Sequence, residues 1–483
     1  MVPVIGRIFL GLAASLSLIA CSKMGPDFTP PRVETPAQFH ETTPWQVAEP
    51  APITLQKEWW LELRDPELNR LEIELTANNN TIKMAEAQYR SARALLDNAS
   101  MALFPTLSLT LSDTRAASSS SNSATGRSTV TTSTSYGLMA SSSWEVDVWG
   151  RVRRGLESAE AKSQAGSEDL AAARISAQLL LAQVYLQVRN LDRRLALLTE
   201  QEQGSNRFLQ LTKNRLGAGV ASSLDVAQAE TQLQSIVTQL REAELQRAQA
   251  EHGMATLLGR AAVTLQPWNG SIPLTPIPAT PALIPSWLLQ HRPDIAAAER
   301  RVADANAQIG VAKAAFFPAI SLGASGGFKG SLLEELFQVP NRFWSLGPSM
   351  VASILDSGQR NLAYEQALAA HAQAEASYRQ TVLTAFQEVE DNLAALRLLE
   401  REAAANEIVM RAAQKSREIA EDQYRVGTTS SLTVVTARNA ELSARMTSLD
   451  VHHRRLLAAL QLLKNCGGRW EERETGGTKP EGY

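Results

Sequence analysis

Gly219-Val220-Ala221-Ser222-Ser223-Leu224-Asp225-Val226 returns later in the chain as Gly427-Thr428-Thr429-Ser430-Ser431-Leu432-Thr433-Val434, a shift of 208 (427 − 219). Leu103-Phe104-Pro105-Thr106-Leu107-Ser108-Leu109 returns as Phe316-Phe317-Pro318-Ala319-Ile320-Ser321-Leu322, a shift of 213 (318 − 105). Matched positions in one order at nearly one shift mean an internal duplication. The repeated unit is far too long for a solenoid, and each copy mixes long helical patterns with a strand pair. That combination points to a pore wall rather than an enzyme pocket.

Within each copy the hydrophobic period changes at a proline. From about Asp65 to Ala102 the pattern is helical and rich in Ala, Leu, Glu and Arg; Pro105 stops it. Leu107, Leu109 and Leu111 then alternate with Thr106, Ser108, Thr110 and Ser112. The stretch from Ala116 to Ser133, almost wholly small and polar, reads as a long loop, after which Tyr136, Leu138, Ala140 and Trp144 resume the alternation. In the second copy Ile320, Leu322, Ala324 and Phe328 alternate with Ser321, Gly323 and Ser325, and a second strand is expected from about Phe343 to Leu355. Such alternation is the weak signature of a transmembrane barrel strand, though a soluble hairpin packed on a core shows it too. Four strands cannot close around a lumen. Three subunits would supply twelve, and closure between them would be obligatory because bare sheet edges are excluded from lipid.

Helical patterns without proline run from 151 to about 216 and from 358 to about 425. At 1.5 Å per residue each would be roughly 100 Å long, a length typical of coiled-coil packing. Each could instead be two ordinary helices joined by an unmarked turn, with Gly204 the candidate breaker in the first. Returning helices are expected at Ser222–Leu258 and Ser430–Lys464. Between the copies, residues 261–292 carry Pro267, Pro273, Pro276, Pro278, Pro281 and Pro285 and read as an extended linker. Helix resumes at Arg292-Pro293-Asp294-Ile295, matched to Asn80-Thr81-Ile82 in the first copy.

The first residues read as an export signal, with Arg7, an apolar run from Ile8 to Ile19, and Ala20 before Cys21. That run is too short to span a bilayer. Leu18-Ile19-Ala20-Cys21 resembles a bacterial lipobox, in which Cys21 becomes the lipid-modified N-terminus; the alternative is an ordinary signal peptide with an incidental cysteine. Cys466 is the only other cysteine, so no disulfide framework exists. Acyl chains on Cys21 would anchor the protein, and Ser22 favours the outer membrane. The remainder of 22–56 is proline-rich and aperiodic. With 47 basic and 50 acidic residues the net charge is −3, which gives nucleic acid no electrostatic support. No run after residue 21 is apolar enough for a transmembrane helix, so any crossing must use strands.

No catalytic or metal-binding constellation emerges. His452 and His453 are adjacent and point to different faces of a helix. There is no HExxH, CxxC, P-loop or GxSxG, and Gly217-Ala218-Gly219 lacks the strand that a nucleotide-binding turn requires. The scattered acids fall in i, i+4 patterns with Arg or Lys and read as solvated faces. No metal, cofactor or catalytic residue is expected beyond the lipid on Cys21.

The lipobox, Gly25-Pro26-Asp27-Phe28, Trp59-Trp60 with Asp65-Pro66, the paired Phe-Pro strand starts, Trp144-Glu145-Val146-Asp147-Val148-Trp149-Gly150 and the two Gly-x-x-Ser-x-Leu segments together resemble the TolC family, nearest its OprM/NodT-like lipoprotein branch. The resemblance covers the mature chain to about residue 466. It implies a mixed α and β membrane protein: a trimeric, twelve-stranded transmembrane β-barrel, four strands per subunit, continued by a long periplasmic α-helical barrel. It implies these divisions: signal peptide 1–20; lipidated segment 21–64; repeat one 65–260, with a hairpin about 104–146; linker 261–292; repeat two 293–466, with a hairpin about 317–355; and tail 467–483.

The same resemblance places Gly219, Ser222, Ser223, Leu224 and Asp225, with Gly427, Ser430, Ser431 and Leu432, at helix turns of the periplasmic tip, where an adaptor protein docks. Gly219 and Gly427 suit helix ends, and Ser222 with Asp225 suits a capping box; without the resemblance, well-made turns with no partner would fit these residues equally. Tyr424 matches a tyrosine near the family's aperture. Related proteins often carry aspartates after the second turn, whereas here Thr433 and Thr436 stand there, so constriction by Leu432 and the threonines, with weaker cation block, is expected. The implied function is an outer-membrane exit duct for small molecules, anchored by lipid and fed by a periplasmic adaptor and an inner-membrane pump of the resistance-nodulation-division type. The alternatives are a duct for type I protein secretion and, in a different class, an adhesive coiled-coil surface lipoprotein.

Overall fold

The computed structural model describes residues 23–34, 58–122, 127–264, 276–277 and 292–465. The signal segment, Cys21, most of the 261–292 linker and the tail from 466 lie outside the described residues. In chain order the described elements are a 3-10 turn at Trp59–Leu63, α1 (Pro66–Asn78), α2 (Asn80–Met101), β1 (Thr106–Asn122), β2 (Arg127–Glu145), α3 (Arg151–Gly217), α4 (Ser223–Leu257), a 3-10 turn at Ala262–Thr264, α5 (Pro293–Ala314), β3 (Ala319–Gly330), a 3-10 turn at Val339–Asn341, β4 (Arg342–Val351), α6 (Gln359–Val426) and α7 (Ser431–Asn465). Among the described residues no helix is long and apolar enough to cross a membrane.

The duplication is legible in the elements. Ile82 and Ile295, buried at matched helix starts, lie 213 apart (295 − 82), the shift already seen at the strand starts. By the helix turns it is 208, so the first copy is longer by five residues (213 − 208) across its hairpin. The stretch from Ala116 to Ser133, expected as loop, is mostly ladder instead, with Ala116 paired to Ser133 and pairing continuing to Asn122 with Arg127. Serine and threonine need no apolar face to hold a two-stranded ribbon whose backbone groups are paired. β4 ends at Val351, four residues short of the expected Leu355 (355 − 351).

The single helix expected from Asp65 to Ala102 is two. Asp65 caps α1, its carboxylate accepting from the N–H groups of Glu67 at 3.1 Å and Leu68 at 3.3 Å, with Pro66 preset for the first turn. The helix then breaks at Asn79, whose backbone is extended (φ −62°, ψ 126°). Its Oδ1 accepts from the Ile82 N–H at 3.0 Å, and its Nδ2 donates to the Leu257 carbonyl at 2.7 Å. Asparagine competes for backbone bonds in this way, and three stand in a row at 78–80. By contrast α3 and α6 run unbroken for 67 and 68 residues, with Gly204 inside α3.

The chain forms two compact units. The first, from residues 1–32, 88–167 and 297–379, contains a four-stranded antiparallel sheet in the order β1-β2-β3-β4. Residues 23–28 are bolted to its helices by Arg154, a guanidinium only 1% exposed. It donates to the Met24 carbonyl at 3.0 Å, the Gly25 carbonyl at 3.2 Å and Asp27 at 2.9 Å, and pairs with Glu157 at 2.8 Å. At Gly310 a Cβ would stand 2.7 Å from the Met24 carbonyl, so only glycine admits the strap.

The second unit, from residues 33–87, 168–296 and 380–483, holds three apolar clusters among the described residues. Trp59, Trp60, Leu68, Leu71 and Leu75 pack with Leu181, Tyr185, Leu456 and Leu460. Burial of each such side chain contributes about 1.5–3 kcal/mol, more than helix propensity supplies. One member of the α1 stripe breaks the pattern: Glu72 is fully buried, and neither carboxyl oxygen has a hydrogen-bond partner. Burial holds its carboxyl well above the usual range.

Candidate functional site

Two regions carry the residues that the sequence singled out. The first is the sheet. Its registers put Leu111, Leu138, Phe328 and Arg342 in one row across all four strands, and Leu109, Ala140, Gly326 and Trp344 in the next on the same face. This face is apolar and uncovered: Leu107, Leu109 and Leu111 are 79%, 73% and 76% exposed, and Trp344 78%. On the opposite face Ser108, Ser141, Ser325 and Ser345 form a continuous row. Their hydroxyls pair laterally, Ser108 with Ser141 at 2.8 Å and Ser325 with Ser345 at 3.1 Å. Within one chain nothing covers the apolar face, whereas in a soluble hairpin that face packs on a core. The strands β1 and β4 each have one unpaired edge.

Aromatic side chains collect where helices meet strands. The Trp149 ring stacks on Phe317 with centroids 4.7 Å apart, and its Nε1 donates to the Pro318 carbonyl at 2.8 Å. Trp144 donates to the Leu103 carbonyl at 3.0 Å. Aromatic rings at such a boundary suit a membrane–water interface. Asp147 secures the turn into α3, accepting from the N–H groups of Val152 at 3.0 Å and Arg153 at 2.9 Å.

The second region is the pair of turns that end α3 and α6. Gly219 and Gly427 have φ of +73° and +87°, the left-handed conformation that closes a helix. Each donates to a carbonyl three residues back, Leu216 at 2.9 Å and Tyr424 at 3.1 Å. The residue after each reaches five back, Val220 to Arg215 and Thr428 to Gln423, both at 2.9 Å. The two copies therefore use one and the same Schellman turn.

The helix starts after the two turns differ. Ser222 caps α4 in a complete capping box: the Asp225 N–H donates to the Ser222 hydroxyl, and the Asp225 carboxylate takes the Ser222 N–H at 2.8 Å. In the second turn Thr433 occupies the matching place, and the Ser430 hydroxyl meets only the Thr433 N–H at 3.4 Å and its hydroxyl at 3.2 Å. The structure adds a link that no local pattern signals: the buried Ser431 hydroxyl donates to the Asp225 carboxylate, tying the second turn to the first. The Ser431 bond, followed by those from Ser222, holds the Asp225 carboxyl below the usual carboxylate range.

Exposure separates the remaining residues. Ser222, Ser223, Ser430, Thr433 and Thr436 lie at the surface, as do Val220 and Leu224, each 65% exposed, and Leu432 at 56%. Tyr424 is not exposed. Its ring packs against Phe208 at 5.3 Å, lies under the Arg215 guanidinium at 4.6 Å, and its hydroxyl meets Thr212 at 3.4 Å. Arg215 also donates to the Tyr424 carbonyl at 2.6 Å, so this tyrosine joins α3 to α6 from behind the turn.

The charged faces expected to be merely solvated need correction as well. Several ion pairs link separate helices: Arg438 with Glu421 at 2.8 Å, Arg417 with Glu441 at 2.5 Å, and Arg445 with Glu200 at 2.8 Å. Gln232 and Asn439 exchange two amide hydrogen bonds, at 2.6 and 2.9 Å, between the matched helices α4 and α7.

Comparison with known proteins agrees with this geometry. The family model of outer membrane efflux proteins matches residues 73–260 and 284–468. The probable efflux pump outer membrane protein TtgC of Pseudomonas putida is 30% identical over 476 residues, covering 97% of this chain and 96% of its own length. The outer membrane protein OprJ of Pseudomonas aeruginosa is 32% identical over 425 residues, covering 86% and 87%. Among solved structures, the outer-membrane channel OprN superposes with a TM-score of 0.85 at 29% identity, covering 93% of this chain and all of that one.

Proposed function

The chain belongs to the outer membrane efflux protein family, and from that premise we propose that it is the outer-membrane exit duct of a tripartite efflux system. The observation that carries this reading is the sheet: one uncovered apolar face, one face rich in serine, threonine and glycine, and two open edges. Three copies joined β4 to β1 would close twelve strands, with the apolar face toward lipid and the serine rows toward water. Closure removes the edges that lipid forbids. The laterally paired serines make a neutral wall that offers passing solutes little binding, as a passive conduit requires.

The long helices of the three copies would build the periplasmic conduit. The turns at Gly219–Asp225 and Gly427–Leu432, six in the trimer, would offer a periplasmic adaptor near-equivalent sites through exposed Val220, Leu224 and Leu432. Leu432, Thr433 and Thr436 would line the aperture, and Tyr424 would brace it from within the helix packing. An inner-membrane pump of the resistance-nodulation-division type supplies the energy; the duct catalyses nothing. Acylation of Cys21 would add a lipid anchor to the outer membrane.

Deleting the gene in cells that retain a cognate pump tests this. The proposal expects raised sensitivity to drugs or solvents, restored by the intact gene. Unchanged sensitivity in every pump background would contradict it.

A further inference from the structure

The segment Ser331-Leu332-Leu333-Glu334-Glu335-Leu336-Phe337-Gln338-Val339-Pro340-Asn341 joins β3 to β4 at their ends remote from the helix junctions, level with Asp113 and Tyr136 of the longer β1–β2 ribbon. Two residues suffice to reverse a hairpin; this connection is long, and its composition is wrong for a watery loop. Leu332, Leu333, Phe337 and Val339 are 57%, 59%, 66% and 73% exposed. Contiguous exposed apolar side chains of this kind mark an interaction surface.

The loop is folded, not slack. Leu336 is its internal plug, 1% exposed. The N–H groups of Leu336, Gln338 and Asn341 donate to the carbonyls of Leu333, Glu335 and Gln338 at 3.2, 3.0 and 3.0 Å, and the Asn341 amide donates to the Glu335 carbonyl at 2.7 Å. Backbone groups satisfied internally are what a segment needs before it can leave water. The direction is fixed by Phe337, whose ring meets Phe328 edge-on with centroids 5.4 Å apart. Phe328 shares its row with Leu111 and Leu138 on the uncovered apolar face, so Phe337 continues that face past the ends of β3 and β4.

We propose that loop 331–341 is a membrane-seating platform, inserting Leu332, Leu333, Phe337 and Val339 at the headgroup–acyl boundary of the outer leaflet. This rests on the barrel reading above, which makes the apolar face the lipid-facing one. Arg342, exposed in the Phe328 row, can extend its charge toward the headgroups while its stem lies along apolar surface. Glu334 and Glu335 are exposed on the same loop, so the apolar side chains, not a cationic field, carry the seat. An interfacial aromatic and leucine cluster is the composition that such a boundary selects.

The test uses the full chain in phospholipid vesicles, spin-labelled at Leu333→Cys or Phe337→Cys in a Cys466→Ser parent, with the labelled parent as background. Leu346→Cys on the apolar face and Ser345→Cys on the polar face serve as references. The readout is collision with oxygen against collision with a water-soluble nickel chelate. The platform predicts that positions 333 and 337 favour oxygen as 346 does, while 345 favours nickel. Oxygen preference at 346 with nickel preference at 333 and 337 would overturn the platform and leave the barrel standing. Protection of 333 and 337 from both reagents would mean that protein covers them, which also overturns it. Absence of oxygen preference at 346 would remove the barrel and the platform together.

Discussion

At Asp225 one carboxylate accepts from the Ser222 N–H, the Ser222 hydroxyl and the Ser431 hydroxyl. Replacing it with alanine removes a capping box and an inter-turn link, so Asp225→Ala should lower stability by about 1 kcal/mol on the capping part alone. Paired with Ser431→Ala the effect should be less than additive, because both changes remove the same bond; thermal melting of the four proteins of the cycle checks this. The depressed carboxyl fixes the sign with pH. Its contribution is fully present above the unfolded value of about 3.9 and is lost as pH falls through the lower folded value. The gap between parent and Asp225→Ala should therefore be flat around neutrality and close only in acid. Glu72 behaves oppositely. Its carboxyl is raised by burial, so the folded state favours the neutral form, and the penalty grows as pH rises above about 4.3 toward the folded value. Glu72→Gln should match the parent's melting temperature in acid and exceed it at neutral pH; equal melting at all pH values would show that Glu72 does not titrate across the transition.

Among the elements, boundaries marked by proline, glycine and a change of period were legible. Pro105 and Pro318 stop helices, Gly219 and Gly427 end the long ones, and strand alternation named the apolar face residue by residue. What stayed hidden had no local mark. The break at Asn79 depends on a bond from its side chain to Leu257, which lies 178 residues away. The ribbon at Ala116 to Ser133 looks like loop because its stability comes from pairing rather than from an apolar face. The Asp225–Ser431 link and the Arg154 strap join residues 206 and as many as 130 positions apart, where no spacing rule reaches. Asn79 offers a direct check at this scale. Asn79→Ala deletes the cap of α2 and leaves the Leu257 carbonyl without that donor, so a loss of about 1–3 kcal/mol in urea unfolding is expected. No change would mean that the helix break is held by packing alone.

For the whole molecule, the duplication divides labour as well as repeating it. Both copies supply a hairpin, an unbroken long helix and the same Schellman turn, yet only the first copy's turn carries a carboxylate at its cap. The second presents Thr433 and Thr436, both exposed, beside exposed Leu432. An aperture built this way should be blocked weakly by divalent cations added from the periplasmic side, and Thr436→Asp should strengthen the block. Strong block in the parent, abolished by Thr436→Ala, would contradict the assignment of those threonines. The central claim, that three copies of this sheet close into a water-filled duct, is tested most directly by the conductance of the purified protein in a planar lipid bilayer. Discrete, long-lived conductance steps are predicted; an electrically silent bilayer holding verified, folded protein would contradict the account.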